Sequence, residues 1–347
     1  MKVLMKGNEA IAEAAIRAGC DAYFGYPITP QTEVLEYMAR RMPELGRAFV
    51  QAESELGAVN MVYGAACTGA RVMTTTSSPG YSLMQEGISY IAMSFVPCVI
   101  VNIMRGGPGL GNIQPSQGDY FQMTKGGGHG DYHLIVLAPS TVQETVDLVI
   151  EAFDLADKYL QPVTVIADGL IGQIMEPVAL PELKTPKRAE HPWALTGAKG
   201  RKKNIVTSLF LGAQNLERED LRLQKIIQEI EANEVRYAEY EMEGAEIVVV
   251  AYGTAGRIVQ TAVKQARAQG IPVGLFRPIS MFPFPYERLD EIAETAKKIL
   301  VVELSAGQMI EDVRLATNCR RPISFFGRLG GIVPLPEDIL EEIVKLA

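Results

Sequence analysis

Short apolar runs alternate along the chain with longer stretches whose apolar positions recur every three or four residues. The runs at 21–26, 48–51, 70–76, 97–104, 133–138 and 162–167 predict buried strands. Helical spacing predicts helices over 8–19, 31–42, about 56–67, 81–93 and 141–158. Asn8 is the expected N-cap of the first helix and Gly19 its close. The second half repeats the cycle, with strands over 246–252, 272–277 and 299–303 and helices over 257–269, 284–298 and 308–319. Strands alternating with helices imply parallel sheets covered on both faces. The expected fold is therefore α/β, with two doubly wound domains.

A composition shift separates the halves. The chain is rich in proline from Pro177 to Pro192 and irregular to about residue 203. A charged helical pattern then runs over 217–241, with Leu221, Leu223, Ile226, Ile227 and Ile230 as its apolar positions. The expected division is a first domain over 1–180, a linker and connecting helix over 181–240, and a second domain over 241–347.

In parallel α/β sheets, ligands bind beyond the carboxyl ends of the strands, at a switch point. The polar residues at those ends are Thr29, Glu53, Glu55, Ser77, Ser78, Arg105 and Asn112. Each has a plainer explanation. A carboxylate such as Glu55 at a helix N-terminus contributes a few tenths to about 1 kcal/mol as a charge on the helix dipole. Arg105 alone is a surface charge, and Thr29 alone a loop hydroxyl. Their contexts argue otherwise. Arg105 ends an apolar strand and enters a loop with glycines at 106, 107, 109 and 111. Such a loop lets backbone lie close to a ligand, and a guanidinium there can fork a carboxylate. Thr29 stands between Pro27 and Pro30, which fix its loop.

Composition narrows the function classes. With 347 residues, 48% of them hydrophobic, the chain can build two large cores. The net charge of -8 argues against nucleic acid, and the basic stretch 199–203 reads as a solvated linker. The cysteines Cys20, Cys67, Cys98 and Cys319 lack the close spacing of a zinc or iron–sulfur site, and they suit a reducing, cytoplasmic compartment. His129 and His133 have a helical metal spacing, but the glycines among 126–130 forbid that helix, so no metal site is expected. No signal peptide and no membrane span are expected. Gly253-Thr-Ala-Gly256 reads as a tight strand–helix turn. A non-catalytic nucleotide-binding regulator using that turn stays open as an alternative.

Four stretches, Tyr26-Pro-Ile-Thr-Pro30, Glu53-Ser-Glu-Leu-Gly-Ala58, Ser77-Ser-Pro-Gly80 and Arg105-Gly-Gly-Pro-Gly109, resemble the α subunit of thiamine-diphosphate-dependent 2-oxoacid:ferredoxin oxidoreductases. The resemblance covers essentially the whole chain. It implies a pyrimidine-binding domain followed by a transketolase C-terminal-like domain. Residues 104–117 and 124–131 are most similar to the branched-chain, 2-oxoisovalerate subfamily, with the 2-oxoglutarate enzymes as near neighbours. By position, the resemblance makes Glu55 the glutamate that hydrogen-bonds N1′ of the cofactor's aminopyrimidine. It makes Thr29 and Arg105 the substrate-binding residues, and Pro27, Ser77 and Ser78 further cofactor contacts. It implies oxidative decarboxylation of a 2-oxoacid to acyl-CoA with reduction of ferredoxin. The sequence lacks cluster cysteines and the G-D-G…N pattern that holds magnesium and diphosphate, Ala167-Asp-Gly169 being the nearest stretch. The diphosphate and magnesium site is then expected on a β subunit, and the iron–sulfur clusters on ferredoxin-like γ or δ chains.

Overall fold

The computed structural model describes residues 2–183 and 191–347. The first half runs β1 (Lys2–Lys6), α1 (Gly7–Arg17), β2 (Ala22–Gly25), α2 (Thr32–Glu44), β3 (Ala48–Gln51), α3 (Glu55–Ala66), β4 (Val72–Thr76) and α4 (Pro79–Met93). It continues with β5 (Cys98–Met104), α5 (Tyr120–Thr124), β6 (Ile135–Leu137), α6 (Val142–Tyr159), β7 (Pro162–Asp168), α7 (Gly169–Gln173) and β8 (Met175–Ala179). The rest comprises α8 (Ala213–Asn233), β9 (Tyr237–Tyr240), β10 (Ile247–Val250), α9 (Gly253–Ala268), β11 (Val273–Pro278) and β12 (Ser280–Phe282). It ends with α10 (Tyr286–Thr295), β13 (Lys298–Glu303), α11 (Met309–Thr317), β14 (Ile323–Gly327) and α12 (Pro336–Leu346).

Seven strands form one sheet in the order β12-β6-β7-β5-β4-β2-β3, parallel except for β12. Five form a second sheet in the order β14-β13-β10-β11-β9, parallel except for β9. The central strands β4, β5 and β7 are buried along their whole length, which explains the largely apolar sequence of β5 and β7, while β4 buries Thr74, Thr75 and Thr76 as well. Helices α1, α2 and α6 cover one face of the first sheet with Ile11, Met38 and Phe153. The other face carries α3 and α4, and its core runs on into the second domain through Tyr120, Tyr252, Phe276 and Phe284.

Several expectations change. Lys6, not Asn8, occupies the cap of α1, and no side chain caps it. Asn8 is buried instead, with its amide donating to the Pro30 carbonyl at 2.7 Å and to Glu33 at 2.8 Å. It ties α1 to the start of α2, a tertiary use that local sequence does not signal. The lysine-flanked segment β1 pairs antiparallel with β8, where the proline-rich strap was expected to begin. Residues 184–190 of that strap lie outside the described residues. The 181–240 linker contributes β9 to the second sheet. Residues 253–256 form the first turn of α9 rather than a free turn. The strand β12, from the second half, adds itself to the first sheet beside β6. Phe282 at its end stacks on His133 with ring centroids 4.5 Å apart.

Gln117 is fully buried and bonded on both sides of its amide. It accepts from the Leu304 amide at 2.9 Å and donates to the Tyr252 carbonyl at 2.9 Å. Gln117→Ala leaves the Leu304 amide unpaired across the domain junction, while the Tyr252 carbonyl keeps the Gly256 amide, so it should destabilise the chain by about 1–3 kcal/mol. Denaturant unfolding measures this. A change below about 0.5 kcal/mol would show that water replaces the amide.

Candidate functional site

The chain leaves β2 towards β3 and leaves β4 towards β5, so the two loops diverge above the β2/β4 boundary. This is the switch point at which an open parallel sheet forms a crevice. Residues 26–31 form one wall and residues 77–78 the other. Gln31, fully buried, braces the first wall by donating to the Tyr26 carbonyl at 3.1 Å and accepting from Thr75. Tyr23 and Thr75 share a further hydrogen bond at 2.6 Å, so the loop is locked to two adjacent strands.

Glu55 is the first residue of α3 and is only 4% exposed. Ser54 caps the helix by accepting from the Gly57 amide at 3.1 Å, so the cap role is taken. Among the described residues, no hydrogen bond or ion pair engages the Glu55 carboxylate. Its neighbours are equally unengaged. The hydroxyls of Thr76 and Ser77 are buried without a hydrogen-bond partner. Gly80 completes this corner. A Cβ built there would lie 2.2 Å from Thr76 Oγ1 and 2.4 Å from Glu55 Oε1, so only glycine fits. A buried carboxylate and two orphaned hydroxyls are costly unless a polar ligand completes them. Glu53, by contrast, is exposed, and its carboxylate lies over Gly57 at the helix start.

Arg105 follows the last residue of β5 and is 93% buried, from a 7% exposure. Its Nη1 donates to the Thr29 carbonyl at 2.9 Å and its Nη2 to the Leu110 carbonyl at 3.0 Å. Its Nε is buried and unpartnered. The guanidinium therefore joins the loop after β2 to the glycine loop after β5. Thr29 is exposed and meets Arg105 through its main chain. Pro27 is half-buried beside it. Asn112 sits farther along, holding the Gly330 carbonyl of the second domain at 2.9 Å.

Ser78 has φ +21° and ψ −78°, a conformation that is strained for any residue but glycine. Three bonds hold it there. Its amide donates to Asn102 Oδ1 at 2.9 Å, its hydroxyl donates to Asp119 Oδ2 at 2.6 Å, and its Oγ accepts from the Arg105 amide at 3.0 Å. Asn102 also donates to Asp119 Oδ2 at 2.9 Å. Burial raises the Asp119 carboxyl above its ordinary value, opposed by these two bonds and by the charge of Arg105. Sequence reasoning missed Asp119, Asn102, Gln31 and Gly80. Asn102 had a signal, being the one polar residue in Cys98–Met104. Asp119 had none.

A cleft of about 550 Å³ opens beside Arg105, between Ser78, Gly107 and Asp119 of the first domain and Ser305 and Gln308 of the second. The two histidines go separate ways. His133 lies near the Thr124 carbonyl at 3.2 Å, while His129 is exposed and edges Tyr90. Among the described residues, no group of three or more His, Cys, Asp or Glu side chains is placed to hold a metal. Asp168, the aspartate of the nearest G-D-G-like stretch, caps α7 by accepting from the Leu170 amide at 2.9 Å. Gly253, the basis of a nucleotide-binding reading, is buried against Gln117 and leaves no open loop. Among the described residues, no helix is long and apolar enough to cross a membrane.

The chain is similar to known proteins over nearly its whole length. The family described as "Pyruvate flavodoxin/ferredoxin oxidoreductase, thiamine diP-bdg" matches residues 13–254, and "Pyruvate:ferredoxin oxidoreductase core domain II" matches 245–339. The "Ketoisovalerate oxidoreductase subunit VorB" of Methanothermobacter thermautotrophicus is 53% identical, over 99% of this chain and 97% of its own. The "2-oxoglutarate synthase subunit KorA" of Methanocaldococcus jannaschii is 39% identical over 98% of each. Among solved structures, the 2-oxoglutarate:ferredoxin oxidoreductase from Magnetococcus marinus, with 2-oxoglutarate, coenzyme A and succinyl-CoA bound, superposes with a TM-score of 0.88 at 28% identity. That match covers 99% of this chain but 65% of the solved one. A split-gene transketolase, at 15% identity and a TM-score of 0.63, shares the fold. The protein is a subunit of the thiamine-diphosphate-dependent 2-oxoacid:ferredoxin oxidoreductase family, of the VorB type.

Proposed function

We propose that this chain holds the aminopyrimidine end of thiamine diphosphate, and the 2-oxoacid, in a multi-subunit oxidoreductase that converts branched-chain 2-oxoacids to acyl-CoA and carbon dioxide while reducing ferredoxin. One observation carries the reading. The buried, unengaged Glu55 carboxylate lies with the orphaned Thr76 hydroxyl and with Gly80 near the switch point. An aminopyrimidine, flat and rich in nitrogen donors and acceptors, suits that corner. Glu55 would hold a proton at ring nitrogen N1′. The bound cofactor supplies the electron sink for loss of carbon dioxide. Pro27, Thr29, Ser77 and Ser78, on the loops after β2 and β4, would add further contacts to the cofactor and substrate. The branched-chain assignment rests on the 53% identity to the ketoisovalerate subunit, against 39% for a 2-oxoglutarate subunit.

The division of labour follows from the sequence, which has four dispersed cysteines and no diphosphate pattern. Magnesium, diphosphate and the iron–sulfur clusters then belong to β and γ or δ partners in a cytoplasmic complex, and the chain works only within it. A first domain over 1–180, a connector over 181–240 and a second domain over 241–347 describe this subunit's organisation.

Arg105 supports the substrate side, since its charged group sits at the cleft with Nε unpartnered. In the assembled complex, Arg105→Ala should raise the KM for the 2-oxoacid at least about tenfold, the loss of one charge-assisted bond. Rates with 2-oxoisovalerate, pyruvate and 2-oxoglutarate test the substrate reading. A kcat/KM highest for 2-oxoglutarate would overturn the branched-chain assignment.

A further inference from the structure

Asp119 touches the site from a segment that no motif singled out. It lies just before α5, where residues 117–121 are bonded to the second domain through Gln117, Gly118 and Phe121. The Phe121 amide donates to Gln308 at 2.8 Å, and Gln308 returns a bond to the Gly118 carbonyl at 2.7 Å. The backbone that carries Asp119 is thus clamped from the far side of the cleft. One carboxylate oxygen, Oδ2, takes both the Ser78 hydroxyl and the Asn102 amide. Ser78 Oγ in turn accepts a hydrogen bond from the Arg105 amide. A short chain of bonds therefore leads from the second domain, through Asp119 and Ser78, to the backbone of Arg105.

The strain at Ser78 shows what this chain of bonds accomplishes. A serine at φ +21° persists only where its surroundings over-determine it. Two of the three bonds that do so are the Asp119 bond and the Asn102 bond, and Asn102 is itself fixed by Asp119. Without the carboxylate, Ser78 relaxes and the Arg105 amide loses its acceptor. The guanidinium would then no longer be aimed by its own backbone.

We infer that Asp119 is a positioning residue for the 2-oxoacid, holding Ser78 in its strained conformation and through it the backbone that aims Arg105. The inference rests on the reading that Arg105 contacts the substrate. Asp119 itself touches no reacting atom on this account.

The test uses the assembled complex with 2-oxoisovalerate as substrate. Asp119→Ala should raise KM about tenfold and change kcat less than about threefold. Asp119→Asn, which keeps an oxygen acceptor for Ser78, should restore KM to within about threefold of the unmutated complex. Ser78→Ala should match Asp119→Ala, and the double variant S78A/D119A should be no worse than either single one, because the two act in series. On an R105A background, D119A should change KM less than about twofold. Should D119A fail to fold, as judged by thermal unfolding of the purified chain, the D119N and S78A values decide. The inference falls if D119A leaves KM unchanged, if D119N is as impaired as D119A, or if the effects of S78A and D119A multiply. An unchanged KM in R105A alone would instead overturn the substrate role of Arg105. The two failures are therefore distinguishable.

Discussion

Glu55→Ala in the assembled complex is expected to lower 2-oxoacid-dependent viologen reduction by about 10²–10⁴-fold, the range for removing a positioned proton-transfer partner. The folded chain should barely notice the change. Glu55 makes no hydrogen bond or ion pair among the described residues, and Ser54 already caps α3. What is lost is a charge at a helix N-terminus, about 0.3–1 kcal/mol. Activity and stability should therefore separate widely in this variant. A role as helix-end charge alone predicts the same small stability loss with activity intact. Spectrophotometric viologen assays, paired with thermal unfolding of the purified chain, read both quantities.

Gly80→Ala should be the second severe change, for a steric reason. The added methyl would sit 2.2 Å from Thr76 Oγ1 and 2.4 Å from Glu55 Oε1, inside van der Waals contact with both. Helix propensity alone favours alanine over glycine by about 1 kcal/mol inside α4. Overpacking opposes this with about 1–3 kcal/mol. The expected sign is destabilisation, with thiamine diphosphate retention by the complex weakened at least about tenfold, since Glu55 or Thr76 must leave the corner. Equilibrium dialysis of the cofactor and unfolding of the chain measure the two effects. A variant that is stabilised and retains cofactor normally would show the corner to be open, not closed by glycine.

The ends of β4 and β5 were legible because each joins a run of buried residues to a turn. Val72–Thr76 and Cys98–Met104 are buried throughout, and such runs announce parallel strands without any tertiary knowledge. Arg105 is conspicuous as a charge at the end of the second run, whereas Glu55 follows β3, a strand expected to be buried that is instead the largely exposed edge of its sheet. Less legible was what each charge faces. That Arg105 meets the Thr29 carbonyl, and not its hydroxyl, depends on a loop whose path the prolines fix but do not reveal. Asp119 was silent because its partners, Ser78 and Asn102, are 41 and 17 residues away. The same holds for β12, which leaves the second half to pair with β6, and for β1, whose partner β8 lies across the whole first domain. Local periodicity carries no record of such long-range pairing. Asn8 shows the converse error. A residue of the right type at a helix start was taken by a tertiary bond to Pro30 instead of the cap.

The central claim is that Glu55 works on a cofactor whose other end belongs to a partner subunit. Thiamine diphosphate retention with magnesium, measured by equilibrium dialysis for the isolated chain and for the chain assembled with its diphosphate-binding partner, tests it most directly. The account predicts no stoichiometric retention by the chain alone, retention of one cofactor per chain–partner unit, and weaker retention when the assembled chain carries Glu55→Ala. Magnesium-dependent, stoichiometric binding to the isolated chain, unaltered by Glu55→Ala, would contradict it.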